Sequence, residues 1–521
     1  MDQVDHDVVV VGGGPTGLML ACELALRDVR CAVVERDPAP SNQSPGQAIN
    51  ATVVDLLEQR GLMAPLLPFG AEFPRAHFAQ LWLDPTRLPG RHSYSFAVAQ
   101  SRLELVLEQR AAELGVSVLR GRELVGIGQD DQAVTAVVRP VAGDGGGGRD
   151  HFLRCRYLVG ADGRDSTVRT LAGIGFAGSD MPFLGLVGDV ETASAPAVAG
   201  RLGAHEFPAG MLTVRPIGPG LLRLVTAEFA RLPDDPRAPV TVAELRASLH
   251  RLAGLEDPDP RMVWMRRWDG ATRLAERYRD GRVLLAGDAA HVHFPLGGQA
   301  MSTGIEDAVN LGWKLAAEVE GWAPPGLLDS YEAERRPAGA RACQTTAAQL
   351  ALLHPLDRMG PVRELLRELI QLDDVNSYFV RMAFALDVRY DLAPPGAVAT
   401  DGAGAAPAHP LVGTRLADVP LKTQDGEMSV ARLLRAGRGL LLDLSGESAE
   451  DVVAGLSGWA GRVDVVPARP AGGGDEIDAA QVLLRPDGRV VWAAPATLRA
   501  EAGTPSLTEA LTRWFGTPNR S

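Results

Sequence analysis

Residues 7 to 35, DVVVVGGGPTGLMLACELALRDVRCAVVE, pass from a β-branched run through a glycine cluster into an apolar helical stretch, then into a second β-branched run ending on Glu35. Strand, glycines, helix and strand within about 30 residues make a βαβ unit. Gly12-Gly13-Gly14-Pro15-Thr16-Gly17 satisfies G-x-G-x-x-G between the first strand and the helix. Glycines there let backbone amides approach a pyrophosphate at the positive helix N-terminus, and the Glu35 carboxylate can accept from a ribose diol. The unit predicts dinucleotide binding in an α/β fold. By itself it does not separate FAD from NAD.

The chain has 521 residues, which at roughly 150 per domain predicts about three domains, or two with large insertions. Its net charge of −13 argues against nucleic acid or an anionic membrane as partner, because phosphate contacts need clustered Lys and Arg. A small-molecule ligand is expected. The four cysteines, Cys22, Cys31, Cys155 and Cys343, include no C-x-x-C pair and read as core thiols of a reducing compartment. The acidic start Met1-Asp2-Gln3-Val4-Asp5 and the short apolar run Val8 to Val11 fit neither a signal peptide nor a membrane span, which predicts a cytoplasmic protein.

Leu103, Val106, Leu107, Ala111 and Leu114 have the spacing of a helix packed on one face. The segments VTAVVRPV and FLRCRYLVG read as strands around a glycine tip, Gly145 to Gly148. Residues 175–275 look mainly β and are assigned to a substrate-binding sheet inserted into the first domain. That domain comprises 1–174 and resumes over 276–392, with helical segments toward its end. A Pro, Gly and Ala rich linker over about 393–410 leads to a smaller α/β module over 410–521. No repeat of solenoid or propeller length is evident.

Two later motifs decide between the dinucleotides: Tyr157-Leu158-Val159-Gly160-Ala161-Asp162-Gly163-Arg164-Asp165-Ser166, and Gly287-Asp288-Ala289-Ala290-His291 leading into Pro295-Leu296-Gly297-Gly298-Gln299. With these the chain resembles the group A flavoprotein aromatic monooxygenases, in the aromatic polyketide hydroxylase and phenol hydroxylase branch. The resemblance implies a Rossmann-like FAD-binding domain, an inserted β-sheet substrate domain and a C-terminal thioredoxin-like α/β domain. The last contains no cysteine, so thioredoxin-type redox chemistry is excluded and packing or oligomerisation is its expected role.

The resemblance further implies that Gly12, Gly14 and Gly17 face the FAD pyrophosphate and Glu35 the adenosine ribose, with Pro15, Thr16 and Arg36 also expected among the cofactor-binding residues. Gln100 is expected near the flavin-side phosphate, Asp162 in a motif serving FAD and the nicotinamide donor, and Asp288 at the ribityl chain. Pro295, Gly297, Gly298, Ala300, Met301 and Ser302 are expected around the flavin. FAD would be bound and NADPH or NADH transient. One oxygen atom from O2 would pass through a flavin C4a-hydroperoxide to a polycyclic aromatic polyketide in natural-product biosynthesis, with hydroxylation preferred. The alternatives are Baeyer–Villiger oxidation and a flavin-binding tailoring protein without monooxygenase turnover. Phe207, Met211, Arg215, Phe229 and Phe294 are candidate substrate contacts, His205 is plausible by location, and no catalytic side chain is assigned. The chemistry needs no protein nucleophile. A monomer or homodimer is expected.

His291 and His293 form H-x-H without a third ligand or a carboxylate cluster, so no metal is expected. A hydrolase would need a G-x-S-x-G elbow, which does not occur. WMRRW at Trp264 to Trp268 lacks the W-x-W-x-I-P element of flavin-dependent halogenases. One departure from the branch stands out. The loop SNQSPGQAINATVVDLLEQRGL has no arginine near Pro45 or Thr52, where the branch places cations beside the flavin and phosphates; its polar members there, Gln43, Gln47 and Asn50, are neutral. Reduction by NADPH in the usual geometry is what this change puts in question.

Overall fold

The computed structural model describes residues 4–519 except 42, 89–91, 142–148, 234, 236–237, 258, 295, 297, 393–408, 446–455, 472–476 and 496–505. The expected glycine tip at Gly145 to Gly148 and nearly all of the expected linker lie outside the described residues.

The strand His6–Val11 has four fully buried valines, as expected of a central strand covered on both faces. It pairs in parallel with Cys31–Glu35 on one side and with His151–Gly160 on the other. Ser117–Arg120 extends the sheet beyond Cys31–Glu35, and Val283–Leu285 extends it beyond His151–Gly160. The hairpin of Arg122–Gln129 and Val134–Pro140 runs antiparallel to the N-terminal part of His151–Gly160. Helix Pro15–Ala25 packs between helix Gln100–Glu113 and the long helix Gln299–Glu320. All four cysteines are free and buried, three of them within this packing and Cys343 on helix Asp329–Leu353.

A second sheet, six-stranded and antiparallel, runs in the order Gly203–Phe207, Gly210–Gly218, Leu221–Phe229, Phe176–Glu191, Met262–Ala275, His291–Val292. One face carries Leu184, Leu186, Leu212, Val214, Leu222 and Leu224 against helix Val242–Ala253. Its other face looks back toward the parallel sheet. A small hairpin, Ala76–Phe78 with Leu81–Leu83, joins helices Leu356–Leu369 and Asp373–Ala383 around an aromatic cluster at the end of that inner face.

The C-terminal module is a third, mixed sheet of six strands with helix Leu507–Phe515 on it. Its hairpin at Arg485 to Arg489 enters the helical layer of the first part of the chain. There Arg485 pairs with Glu334 at 2.7 Å, and Lys314 meets the same carboxylate at 2.9 Å. Among the described residues no helix is long and apolar enough to cross a membrane.

Candidate active site

The C-terminal edges of three parallel strands, ending at Val11, Gly160 and Leu285, are laced together: Ala161 N–H donates to Val11 C=O at 2.8 Å and Ala286 N–H to Gly160 C=O at 2.9 Å. This places the glycine fingerprint, the segment from Asp162 and the segment from Gly287 side by side, at the edge where open α/β sheets bind ligands. The close packing requires glycine. Gly12 has φ +109° and a Cβ there would stand 2.2 Å from the Ala161 carbonyl oxygen, while a Cβ on Gly17 would stand 2.0 Å from the Gly12 carbonyl oxygen. Gly14 differs, since a Cβ there would meet nothing within 4 Å. It precedes helix Pro15–Ala25, whose N-terminus has no side-chain cap. Pro15 carries no N–H, and the Thr16 and Gly17 N–H groups have no acceptor among the described residues, which makes a cradle that fits a diphosphate.

Around this cradle, Gly13 N–H donates to Glu35 Oε2 at 2.5 Å and Asp37 N–H to Oε1 at 2.7 Å, so the Glu35 carboxylate is aimed by backbone. Arg36 is exposed to solvent, with Asp37 as its one ion-pair partner among the described residues, at 4.0 Å. Thr16 Oγ1 fills the space a Cβ would take on Gly287 or Gly304, locking the first motif onto the third and onto helix Gln299–Glu320. Gln100 accepts from Gly46 N–H at 3.1 Å and donates to Glu104 at 2.8 Å. Burial, with Glu35 adding to it against that bond, pushes the Glu104 carboxyl up to about 7. Sequence reading passed over Glu104 because an acid on a helix usually marks a solvated face.

Asp162 serves its own chain. Its carboxylate accepts from Ser166 Oγ at 2.5 Å and Val168 N–H at 3.0 Å, capping helix Thr167–Leu171. Asp288 makes no hydrogen bond to any described residue. It is exposed to solvent in otherwise protein-dense surroundings, as a side chain on the floor of an open crevice is. That crowding raises its carboxyl above the usual range, while His291, Arg266 and Arg164 pull it back. An unpaired acid at the bottom of a crevice, beside a diphosphate cradle, fits a polyol chain.

The segment carrying Asp288 is held from behind by residues that sequence reading missed. Asp307, fully buried on helix Gln299–Glu320, accepts from Gly287 N–H at 3.0 Å, His291 Nε2 at 2.7 Å and Arg335 Nε at 2.7 Å. Burial would raise its carboxyl, but Arg335 and His291 bring it below the ordinary range. His291 is therefore a structural hydrogen-bond partner. His293 beside it is pushed down to about 4, first by burial and then by His291. Ser302 accepts from Asn50 N–H at 3.2 Å, and Gly298 and Met301 pack against Ala48 and Gly46. Ala300 lies in the first turn of the same helix, whereas Pro295 and Gly297 lie outside the described residues.

The second sheet supplies the opposite wall. Met211, Phe229 and Phe294 lie in one buried cluster with Phe183, and Phe294 stands 5.0 Å from the Trp268 ring. Phe207 does not belong to it and is a correction. It sits opposite Gly210 in the ladder and packs on the helix-covered face with the leucine core, away from the crevice. His205, on that same strand, bonds the Arg201 carbonyl at 3.0 Å. The loop without arginine receives one from this wall. Arg223, buried, bonds the Asp189 carboxylate with Nη2 at 2.9 Å and Nε, and donates Nη1 to the Ser44 carbonyl beside Pro45. Thr52 turns away, donating to the Phe384 carbonyl at 2.6 Å.

Residues 5–346 match the family model of the FAD binding domain, and residues 409–518 match that of the aromatic-ring hydroxylase C-terminal domain. The chain belongs to the FAD-binding aromatic-ring hydroxylase family. Within the family it is 47% identical over 515 residues to the dialkyldecalin synthase of Streptomyces rugosporus, covering 98% of each chain. It is 40% identical over 528 residues to the 12-dehydrotetracycline 5-monooxygenase/anhydrotetracycline 6-monooxygenase of Streptomyces rimosus subsp. rimosus, covering 98% of this chain and 99% of that one. The solved structure of OxyS anhydrotetracycline hydroxylase from Streptomyces rimosus superposes with a TM-score of 0.87 at 39% identity, over 98% of this chain and 99% of that one.

Proposed function

We propose that this chain is an FAD-dependent, NAD(P)H-reduced monooxygenase that inserts one oxygen atom from O2 into a polycyclic aromatic polyketide, with hydroxylation as the outcome. The observation that carries the reading is the crevice itself, with the glycine cradle and Asp288 on one wall and an aromatic sheet face on the other. The likeness to tetracycline monooxygenases along nearly the whole chain supports the substrate class. In this reading the domains divide near 174, 275 and 392. Gly12, Gly14 and the first-turn N–H groups of Thr16 and Gly17 hold the diphosphate, Glu35 the adenosine ribose and Asp288 the ribityl hydroxyls. The helix N-terminus from Gly298 through Ala300, Met301 and Ser302 lies toward the ring system. FAD bound there supplies the activation of O2. The chain's own residues orient the substrate against the aromatic cluster and exclude water from the reacting face.

Replacing Asp288 by Ala removes the acid on the crevice floor. The expected result is purified protein with a lower ratio of flavin to protein absorbance and FAD affinity weaker by roughly 10-fold, the scale of one or two lost hydrogen bonds. A variant holding FAD as tightly as the parent would remove Asp288 from the cofactor site.

A second reading has its own support. The relative at 47% identity is named for a synthase, and the loop at Pro45 is neutral. In that reading the chain binds flavin and transforms its substrate without redox turnover. Anaerobic mixing with NADPH in the presence of anhydrotetracycline and angucycline-type aromatics separates the two. Flavin bleaching followed, on admission of air, by a product heavier by one oxygen supports the monooxygenase. Flavin that stays oxidised with every aromatic rejects it.

A further inference from the structure

The crevice-facing side of the second sheet changes character along its length. Register sets three cross-strand rows: Met211, Ala227, Gly185, Trp268; then Thr213, Val225, Val187, Arg266; then Arg215, Arg223, Asp189, Trp264. The first row abuts the aromatic cluster, and the next two bring three guanidiniums. Asp189 neutralises only Arg223, and Trp264 Nε1 donates to the same carboxylate at 2.6 Å. Arg215, directly opposite Arg223, and Arg266 have no hydrogen-bond or ion-pair partner among the described residues.

Like charges directly opposite in a ladder repel; Asp189 offsets this for Arg223, whereas Arg215 has no carboxylate partner among the described residues. The Arg215 and Arg266 side chains are both exposed to solvent, and the protein around them, joined at Arg215 by Arg223, lowers their proton affinity, with Asp288 opposing at Arg266. His77, on the hairpin within reach of the Arg215 charge, is pushed down to about 4 by burial and then by Arg215, and its Nδ1 is buried without a partner. In a chain of net charge −13, two unpaired guanidiniums on one ligand-facing wall call for an anion from outside the chain.

We propose that this wall receives a substrate bearing an ionised oxygen, a carboxylate or the enolate or phenolate of a vinylogous acid, held by Arg215 and Arg266 with its apolar body against Trp268 and Met211. The inference rests on the crevice being the substrate site and names the substrate's chemistry. A neutral isostere displaces water from the two guanidiniums without supplying a counter-charge, so the site should discriminate against it.

FAD-loaded protein titrated calorimetrically with 3-hydroxy-2-naphthoate and with 3-hydroxy-2-naphthamide tests it. The acid is expected to bind at least about 10-fold tighter than the amide. That preference should shrink in R215Q and in R266Q and vanish in the double variant, with flavin content unchanged. Equal affinity for acid and amide, binding of neither, or a preference that survives the double variant overturns the proposal. Loss of flavin from R266Q with the acid preference intact assigns that guanidinium to the cofactor and overturns its part. NADPH-driven oxygen uptake, measured on the same samples, reports the monooxygenase reading separately, because acid selectivity at equilibrium needs no turnover.

Discussion

Replacing Glu334 by Ala is expected to lower stability by about 3–5 kcal/mol, the range for removing one partner from a buried ion network. Glu334 is almost completely buried on helix Asp329–Leu353. It accepts from Arg485 at 2.7 and 2.8 Å, Lys314 at 2.9 Å and Asn310 at 2.7 Å. Truncation leaves Lys314 buried with Asn310 as its remaining hydrogen-bond partner. Arg485 keeps Asp487 and its stacking on Trp514 at 4.9 Å. Because Arg485 and Asp487 belong to the C-terminal module, the variant should also loosen docking of that module. A lower thermal midpoint and faster proteolysis in the C-terminal module check both effects; an unchanged midpoint would show that the network contributes nothing.

The same network sets an acid limit. Burial alone would raise the Glu334 carboxyl, but Arg485 and Lys314 outweigh it and bring it from 4.5 down to about 2. The unfolded chain therefore binds the proton first as pH falls. The stabilisation is complete above 4.5 and is lost as pH drops from there toward 2. Lys314 acts in the opposite sense. Burial brings it from 10.5 down to about 8 even with Glu334 opposing, so its penalty is present below 8 and is relieved as pH rises from 8 toward 10.5. Denaturation midpoints across pH in the parent and in Glu334→Ala should converge on the acid side.

How much of this was legible in the sequence depends on the range of the interaction. The cradle was, because glycine, acid and strand end are local signals: Gly17 and Glu35 are dictated by neighbours within one βαβ unit, although the crowding that requires glycine at Gly12 comes from Ala161 on a distant strand. Phe207 was misplaced because a residue's sheet face depends on parity against its partner strand. The turn after Phe207 sets it opposite Gly210, on the leucine side. The pairing of Arg223 with Asp189 and its reach to Ser44 join residues 34 and 179 positions apart, and no local pattern announces either. Asp307, Arg335, Lys314 and Glu334 look like solvated helix charges in one dimension. Only packing of the two long helices turns them inward.

Asp307→Asn carries the other large expected effect, and it separates holding the cofactor from holding the loop that holds it. Asp307 touches no open part of the crevice; it is fully buried and its two oxygens are spent on Gly287 N–H, His291 and Arg335. The amide keeps the shape but offers one acceptor oxygen where three donors converge, and its NH2 then faces a donor. Arg335 retains Glu306 at 3.1 Å, Tyr390 at 3.0 Å and the Thr303 carbonyl at 3.1 Å, so collapse should be local. The expected cost is about 1–3 kcal/mol in stability for the unsatisfied buried group, with FAD affinity falling further because the turn that presents Asp288 loses its anchor. Added FAD should restore much of the thermal midpoint through binding to the native state, whereas in Asp288→Ala, where the turn is intact, midpoint and flavin loss should scale together. An Asp307→Asn variant that retains full flavin while losing stability would confine Asp307 to the scaffold and leave presentation of Asp288 to the strand end alone.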